Sequence, residues 1–216
     1  MTPGARPRPP DGLARLMLVT DRRVARNRDL VATVGTAAAG GVGIVQVREH
    51  ELEDAELSRL VTRLREVLPS RVAIVVNGRP ELARKLGVGL HLPAAAPALP
   101  ARASGGGLSL LGRSAHDEAE AERAAGEGVD YVLLGTIYET SSKPGRPGSG
   151  PDLVRAVARR IAPVPVFAIG GVTVARIPEL RHAGAYGVAA CGAFLRARDP
   201  RRVAQAMTLA LTVART

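Results

Sequence analysis

Residues 164–171 read VPVFAIGG, a short apolar run that closes on two glycines, Gly170 and Gly171. A helical stretch follows at 174–183, so the segment has the form of a buried strand turning directly into a helix. The same form recurs on either side. Downstream, GVAACG at 187–192 precedes a closing helix over 199–213. Upstream, YVLLG at 131–135 is followed by a long loop and a helix over 151–161. Nearer the start, LMLVTD (16–21) leads to a helix over 29–39, and GIVQVR (43–48) to one over 53–68. VAIVVN (72–77) leads to a short helix opened by Pro80, a residue suited to a first helical turn. GVGLHL (87–92) and LSLLGRS (108–114) complete the strands, the latter before a helix over 118–125. Eight strands alternating with helices predict one α/β domain, a closed (β/α)8 TIM barrel spanning 13–216, since a doubly wound sheet usually stops earlier. Residues 1–12, rich in proline and arginine, are expected to form a flexible tail.

Composition narrows the function. A formal charge of +10 invites a nucleic-acid reading. The arginines are scattered over helices, however, at Arg63, Arg65, Arg159, Arg160, Arg201 and Arg202, and aromatic residues make up only 2%. Without stacking platforms or a concentrated basic stripe, no nucleic-acid partner is expected. A single cysteine, Cys191, allows no internal disulfide, and no run of apolar residues reaches the ~18 needed to span a membrane. A cytoplasmic protein with no membrane partner is the expectation, with homo-oligomerisation left open.

A parallel barrel gathers the C-terminal ends of its strands on one face, where its ligands bind. That rule brings Arg48, Asn77, His116, Lys143, Gly170 and Cys191 around one opening, with Ser114 and Thr136 at neighbouring strand ends. Gly170 and Gly171 allow a backbone close enough to hold an anion, and Cys191 and Gly192 repeat the arrangement one strand later. Loops after strands seven and eight are the usual phosphate grip of such barrels, so a phosphorylated small molecule is the expected ligand. Thr140, Ser142 and Lys143 stand in a long glycine-rich loop suited to cover it. Glu49 is expected to face outward as a solvated charge, His91 to point into the barrel with its N–H satisfied, and His182 to lie on a surface helix.

Taken together, LMLVTD, VQVREH, LLGRSAH, DYVLLGTIYETSSK, VPVFAIGGV and GVAACGAF resemble, in wording and order, the superfamily joining thiamine phosphate synthase and the thiazole tautomerase TenI. The likeness covers about residues 16–200. It implies a barrel binding thiazole phosphates of thiamine biosynthesis.

In the synthase branch, strand three ends in Asn-Asp-Arg and the next loop carries another carboxylate; the two hold the Mg²⁺ that neutralises a pyrophosphate leaving group. Here the first is Asn77-Gly78-Arg79 and the second Leu92-Pro93-Ala94-Ala95-Ala96, and a lysine two residues after Arg48 is replaced by His50. NGRPELA, HLP and YETSSKPG are similar to the tautomerase branch instead. The resemblance therefore implies first a metal-independent isomerase, a thiazole tautomerase that aromatises a carboxylated dihydrothiazole phosphate without a cofactor. The alternatives are thiamine phosphate synthase, with Mg²⁺ as cofactor, which joins hydroxymethylpyrimidine pyrophosphate to thiazole phosphate, and a non-catalytic regulatory binder. In the tautomerase reading Arg48 holds the carboxylate and Lys143, with Thr140 and Ser142, closes over the ligand. Thr136 stands where the family's best-known tautomerase has an acid/base histidine, which leaves His116 or His50 for that task.

Overall fold

The computed structural model describes residues 12–98, 108–140, 145 and 147–212. The expected tail, except for Gly12, lies outside them. Strands β1 (Leu16–Val19), β2 (Ile44–Val47), β3 (Ala73–Asn77) and β4 (Gly89–Leu92) form the first half of a sheet. β5 (Leu111–Ala115), β6 (Tyr131–Leu134), β7 (Val166–Ile169) and β8 (Gly187–Ala190) form the second. Each strand pairs in parallel with the next, and β8 returns to β1, so the sheet closes into an eight-stranded barrel.

The helices begin where short polar side chains can take up free backbone N–H groups. Asp21 caps α1 (Arg22–Ala25), and Asp29 caps α2 (Leu30–Ala39) through Val31 N at 2.8 Å. A capping box between Glu53 and Glu56 starts α3 (Asp54–Val67). Pro80 opens α4 (Pro80–Leu86), which ends on Gly87 in the left-handed conformation. Asp117 caps α5 (Glu118–Gly126), and α6 (Gly150–Arg160) follows the long loop. The single helix expected at 174–183 is divided into a 3₁₀ turn at Val174–Arg176 and α7 (Ile177–His182). Pro178, which has no N–H, falls in the first turn of α7 and accounts for the break. α8 (Gly192–Leu195) and α9 (Pro200–Thr212) complete the ring. The short helices α1 and α8 were not foreseen, because one turn carries no periodicity to read. Strand five starts later than expected, at Leu111 rather than 108.

Strand alternation divides the apolar residues between two cores. Outward-facing residues such as Leu18, Val45, Val76, Leu134 and Val188 pack with Val34, Val61, Leu64, Val157 and Leu180 of the helices. Met17, Val19, Ile44, Val75, Leu110, Tyr131, Leu133, Phe167 and Ala189 fill the barrel itself. Tyr131 and Phe167 meet edge to face at 5.4 Å between ring centroids. There is room for both because their strand neighbours are glycines. A Cβ on Gly112 would lie 2.0 Å from Tyr131 Cζ, and one on Gly187 would lie 2.6 Å from Phe167 Cε1. Overpacking of this kind costs about 1–3 kcal/mol. Gly112→Ala is therefore expected to lower unfolding stability by roughly 3 kcal/mol, the upper end of that range, in urea denaturation; an unchanged midpoint would show that the ring relocates freely.

Candidate active site

A cavity of about 650 Å³ opens at the C-terminal ends of the strands. Every strand contributes to its wall: Thr20 after β1, Gln46 and Arg48 from β2, Asn77 from β3, and Pro93 and Ala94 after β4. Ser114 and His116 come from the end of β5, Thr136 and Thr140 follow β6, Gly170 and Gly171 follow β7, and Cys191 and Gly192 follow β8. The structure thus brings together the strand-end residues Arg48, Asn77, Ser114, His116, Thr136, Gly170, Gly171, Cys191 and Gly192, with Thr140 from the long loop after β6. Ser142 and Lys143 lie outside the described residues.

The wall is polar on the β2–β3–β5 side. Gln46 Nε2 donates to Asn77 Oδ1 at 3.2 Å, while the buried Gln46 Oε1 has no partner among the described residues. Arg48 is steadied through its backbone, whose N–H donates to Thr20 Oγ1 at 3.0 Å. His116 sits on the rim, half exposed, with its Nδ1 3.0 Å from Glu120 Oε2. His91 is buried in the barrel between Tyr131 and Ser114, and His182 is exposed on α7, both as expected.

On the β7 side, Gly170 and Gly171 have φ of +100° and +62°, in the region that favours glycine. The space beside them is tight as well, since a Cβ on Gly171 would come within 2.7 Å of Glu139 O. Arg176, which sequence reasoning missed, reaches back from the 3₁₀ turn. Its Nη1 donates to Gly171 O at 2.6 Å, and its guanidinium lies 4.2 Å from the centroid of the Tyr138 ring. Arg196, Gln46 and Thr20 are further lining residues that were not singled out. Arg176 and Arg196 follow helical turns rather than strands, so no strand-end pattern marks them.

Arg48, Arg176 and Arg196 line the cavity together with two carboxylates, Asp21 and Glu139. Burial and then the nearby Arg48 hold His50 below the usual imidazole range. Burial, and after it Asp21, pushes the Cys191 thiol up to about 12, so it stays protonated near neutrality and supplies no thiolate nucleophile. Glu49 corrects an expectation: it is not a solvated charge but only 4% exposed, and its Oε2 accepts from Arg22 N at 3.0 Å in the first turn of α1. Without α1 in the reading, nothing covered this residue.

The loop after β4 is fixed from below. Arg113, 5% exposed, donates through Nη1 to Glu127 Oε2 at 2.7 Å and Pro97 O at 3.5 Å, and through Nη2 to Ala94 O at 3.3 Å and to Ala96 O.

A family model described as thiamine monophosphate synthase matches residues 16–194. The chain belongs to the thiamine monophosphate synthase family. It is 41% identical over 208 residues to a putative thiamine-phosphate synthase of Geobacter sulfurreducens, covering 93% of this chain and 95% of that protein. Over 203 residues it is 38% identical to a thiamine-phosphate synthase of Mycolicibacterium gilvum, covering 89% and 85% of the two chains. Among solved structures, a thiamine phosphate pyrophosphorylase from Pyrococcus furiosus superposes with a TM-score of 0.79 at 24% identity, covering 92% of this chain and 95% of that one. That last likeness bears on the fold alone. Nothing in these matches singles out the tautomerase branch within the family.

The residues here do not fit the Mg²⁺ that the synthase branch of the family implies. Gly78 offers no side chain, Asn77 Oδ1 is engaged by Gln46, and Ala94 lines the wall with its carbonyl turned to Arg113. The two carboxylates that line the cavity belong to the loops after β1 and β6, not β3 and β4. Oδ1 of one of them, Asp21, already accepts from the backbone N–H groups of Arg23 and Val24.

Glu49 provides a stability test. Burial raises its pKa from 4.5, so the folded state disfavours its ionised form. The stabilisation is present at low pH and is lost as pH rises through the folded-state value. Glu49→Gln, which cannot ionise, is expected to melt a few degrees above the wild type at pH 8 and level with it near pH 4. An equal difference at both pH values would show that Glu49 ionises in the fold without cost.

Proposed function

We propose that this cavity binds a phosphorylated thiazole and that the protein acts in thiamine biosynthesis. The observation that carries the reading is that three guanidiniums, Arg48, Arg176 and Arg196, and the glycine turn Gly170–Gly171 line one strand-end cavity. Guanidinium forks and close backbone N–H groups suit phosphate oxygens. Gly170, Gly171, Cys191 and Gly192 take the ligand's phosphate. Arg48, with Asn77 and Ser114, takes a second anionic group, a carboxylate of the same ligand or the pyrophosphate of a second one. Thr140, Ser142 and Lys143 close over it, a role that for Ser142 and Lys143 rests on the family resemblance.

Two reactions fit such a ligand. Our first reading is the joining of hydroxymethylpyrimidine pyrophosphate to thiazole phosphate, which reverses the order in which the motifs alone placed the two. It rests on the relatives in Geobacter and Mycolicibacterium, whose names state that activity. In this chain the pyrophosphate that leaves as the new bond forms would be met by Arg48, Asn77 and Ser114. The second reading is proton transfer on a carboxylated dihydrothiazole phosphate, supported by the absence of side-chain carboxylates at Gly78 and Ala94–Ala96. There Arg48 holds the carboxylate, and His116, bound to Glu120, is the rim group able to move a proton.

Product analysis with each substrate, with and without EDTA, tests both. Thiamine phosphate is the expected product. EDTA-resistant conversion of the dihydrothiazole tautomer without thiamine phosphate would replace the first reading with the second, and tight binding with neither product would make the protein a non-catalytic binder. Arg48→Ala is expected to lower kcat/KM by about 10- to 100-fold, as loss of a charged hydrogen bond does. Gly171→Asp is expected to abolish thiazole phosphate binding in calorimetry, and wild-type affinity in that variant would place the phosphate elsewhere.

A further inference from the structure

Below the cavity wall, three side chains from adjacent strands β4, β5 and β6 form a line. His91 is 0% exposed. Its Nδ1 is 3.0 Å from Tyr131 Oη, and its Nε2 is 2.9 Å from Ser114 Oγ. Tyr131 is equally buried, stacked on His91 with ring centroids 5.7 Å apart, while Ser114 lines the cavity.

Burial first, then Arg48 and Arg113, lowers the His91 pKa to about 3, and burial raises that of Tyr131. Near neutrality the line therefore holds three protons: one on the phenol, one on the imidazole and one on the serine. Only two arrangements use both contacts. If Nδ1 carries the imidazole proton, it donates to Tyr131 and the Ser114 proton points inward to Nε2. The Tyr131 proton then lacks an acceptor among the described residues, in an interior otherwise formed by Met17, Phe167 and their apolar neighbours. A buried donor left unpaired is costly. If Nε2 carries the proton, every donor is placed: Tyr131 donates to Nδ1, Nε2–H donates to Ser114 Oγ, and the Ser114 proton is free for the cavity.

We propose that Tyr131, His91 and Ser114 form a one-way hydrogen-bond chain that fixes the Ser114 hydroxyl as a donor to an anionic oxygen of the bound ligand. His91 and Tyr131 are positioning residues that never touch the ligand. The ligand group at this point is a hydrogen-bond acceptor for the free Ser114 proton, which in a phosphorylated ligand is a phosphate or carboxylate oxygen. Each donation in the line polarises the next, so the uncharged chain favours negative charge at its open end. The inference rests on the reading of the cavity as a site for a phosphorylated ligand, but the sense of the chain is a property of the free protein.

Two-bond ¹⁵N–¹H correlation spectra of histidine-labelled protein read that sense directly. Single substitutions of His50, His116 and His182 assign His91 by elimination. The expected result is a neutral His91 with the proton on Nε2, unchanged between pH 5 and 8. A proton on Nδ1, or titration of His91 within that range, overturns the proposal. Calorimetry with inorganic pyrophosphate gives the second readout. Ser114→Ala is expected to weaken binding about tenfold, and Tyr131→Phe, which removes the first donor and leaves both tautomers open, about threefold. Wild-type affinity in Ser114→Ala also overturns the proposal. If the wild type binds no pyrophosphate, the phosphate reading of the cavity falls, while the spectra still decide the chain.

Discussion

The ring of Tyr131 laid against Gly112 is the contact on which the arrangement of the molecule depends. An eight-stranded parallel barrel is filled by its own side chains, and here two aromatic rings occupy much of that space because two glycines stand beside them. The rings fill the barrel one layer beneath Val19, Leu133, Ile169 and Ala189, the inward residues that line the cavity. They also fix depth, since His91 stacks on Tyr131 and Ser114 rests on His91. Polar groups above this level reach the ligand space; apolar groups below it do not.

Above these layers the charge is mixed, with the carboxylates Asp21 and Glu139 among the lining. Guanidiniums from three separate segments, Arg48 at a strand end and Arg176 and Arg196 at helical turns, line this cavity. A guanidinium carries one charge to a divalent ion's two, but it is already in place and is only weakly hydrated. Arg176 shows how the placement is achieved. It is braced by Gly171 O on one side and the Tyr138 ring on the other, so it is preorganised before a ligand arrives.

Much of this was legible in the sequence because parallel strands buried on both faces read as apolar runs, and each run here ends in a polar or glycine step. Eight such runs gave the closed barrel, and the residues at or just past their ends gave much of the cavity wall. What was hidden followed from features without periodicity. One-turn helices α1 and α8 leave no pattern, so the burial of Glu49 beneath α1 was invisible. Arg176 and Arg196 return to the mouth from helical turns, and their part depends on a local fold that spacing does not encode. His91 was read as an inward side chain with its N–H satisfied, but its two partners come from strands 23 and 40 residues further on. Such a line emerges only once the strands are in register. The branch within the family turns on a few loop residues, and there kinship over the whole chain and chemistry at single positions point to different reactions.

The grip of Arg113 on the loop after β4 separates shape from composition at the corner where the branches differ. Its guanidinium holds carbonyl oxygens at positions 94, 96 and 97, atoms that every amino acid supplies. The path of that loop is thus indifferent to the side chains it carries. Exchanging alanine for a carboxylate at 94 alters the charge presented to the ligand while the backbone stays where it is. In such a barrel, this corner is a socket whose side chains can be exchanged singly, with the rest of the fold left out of the exchange.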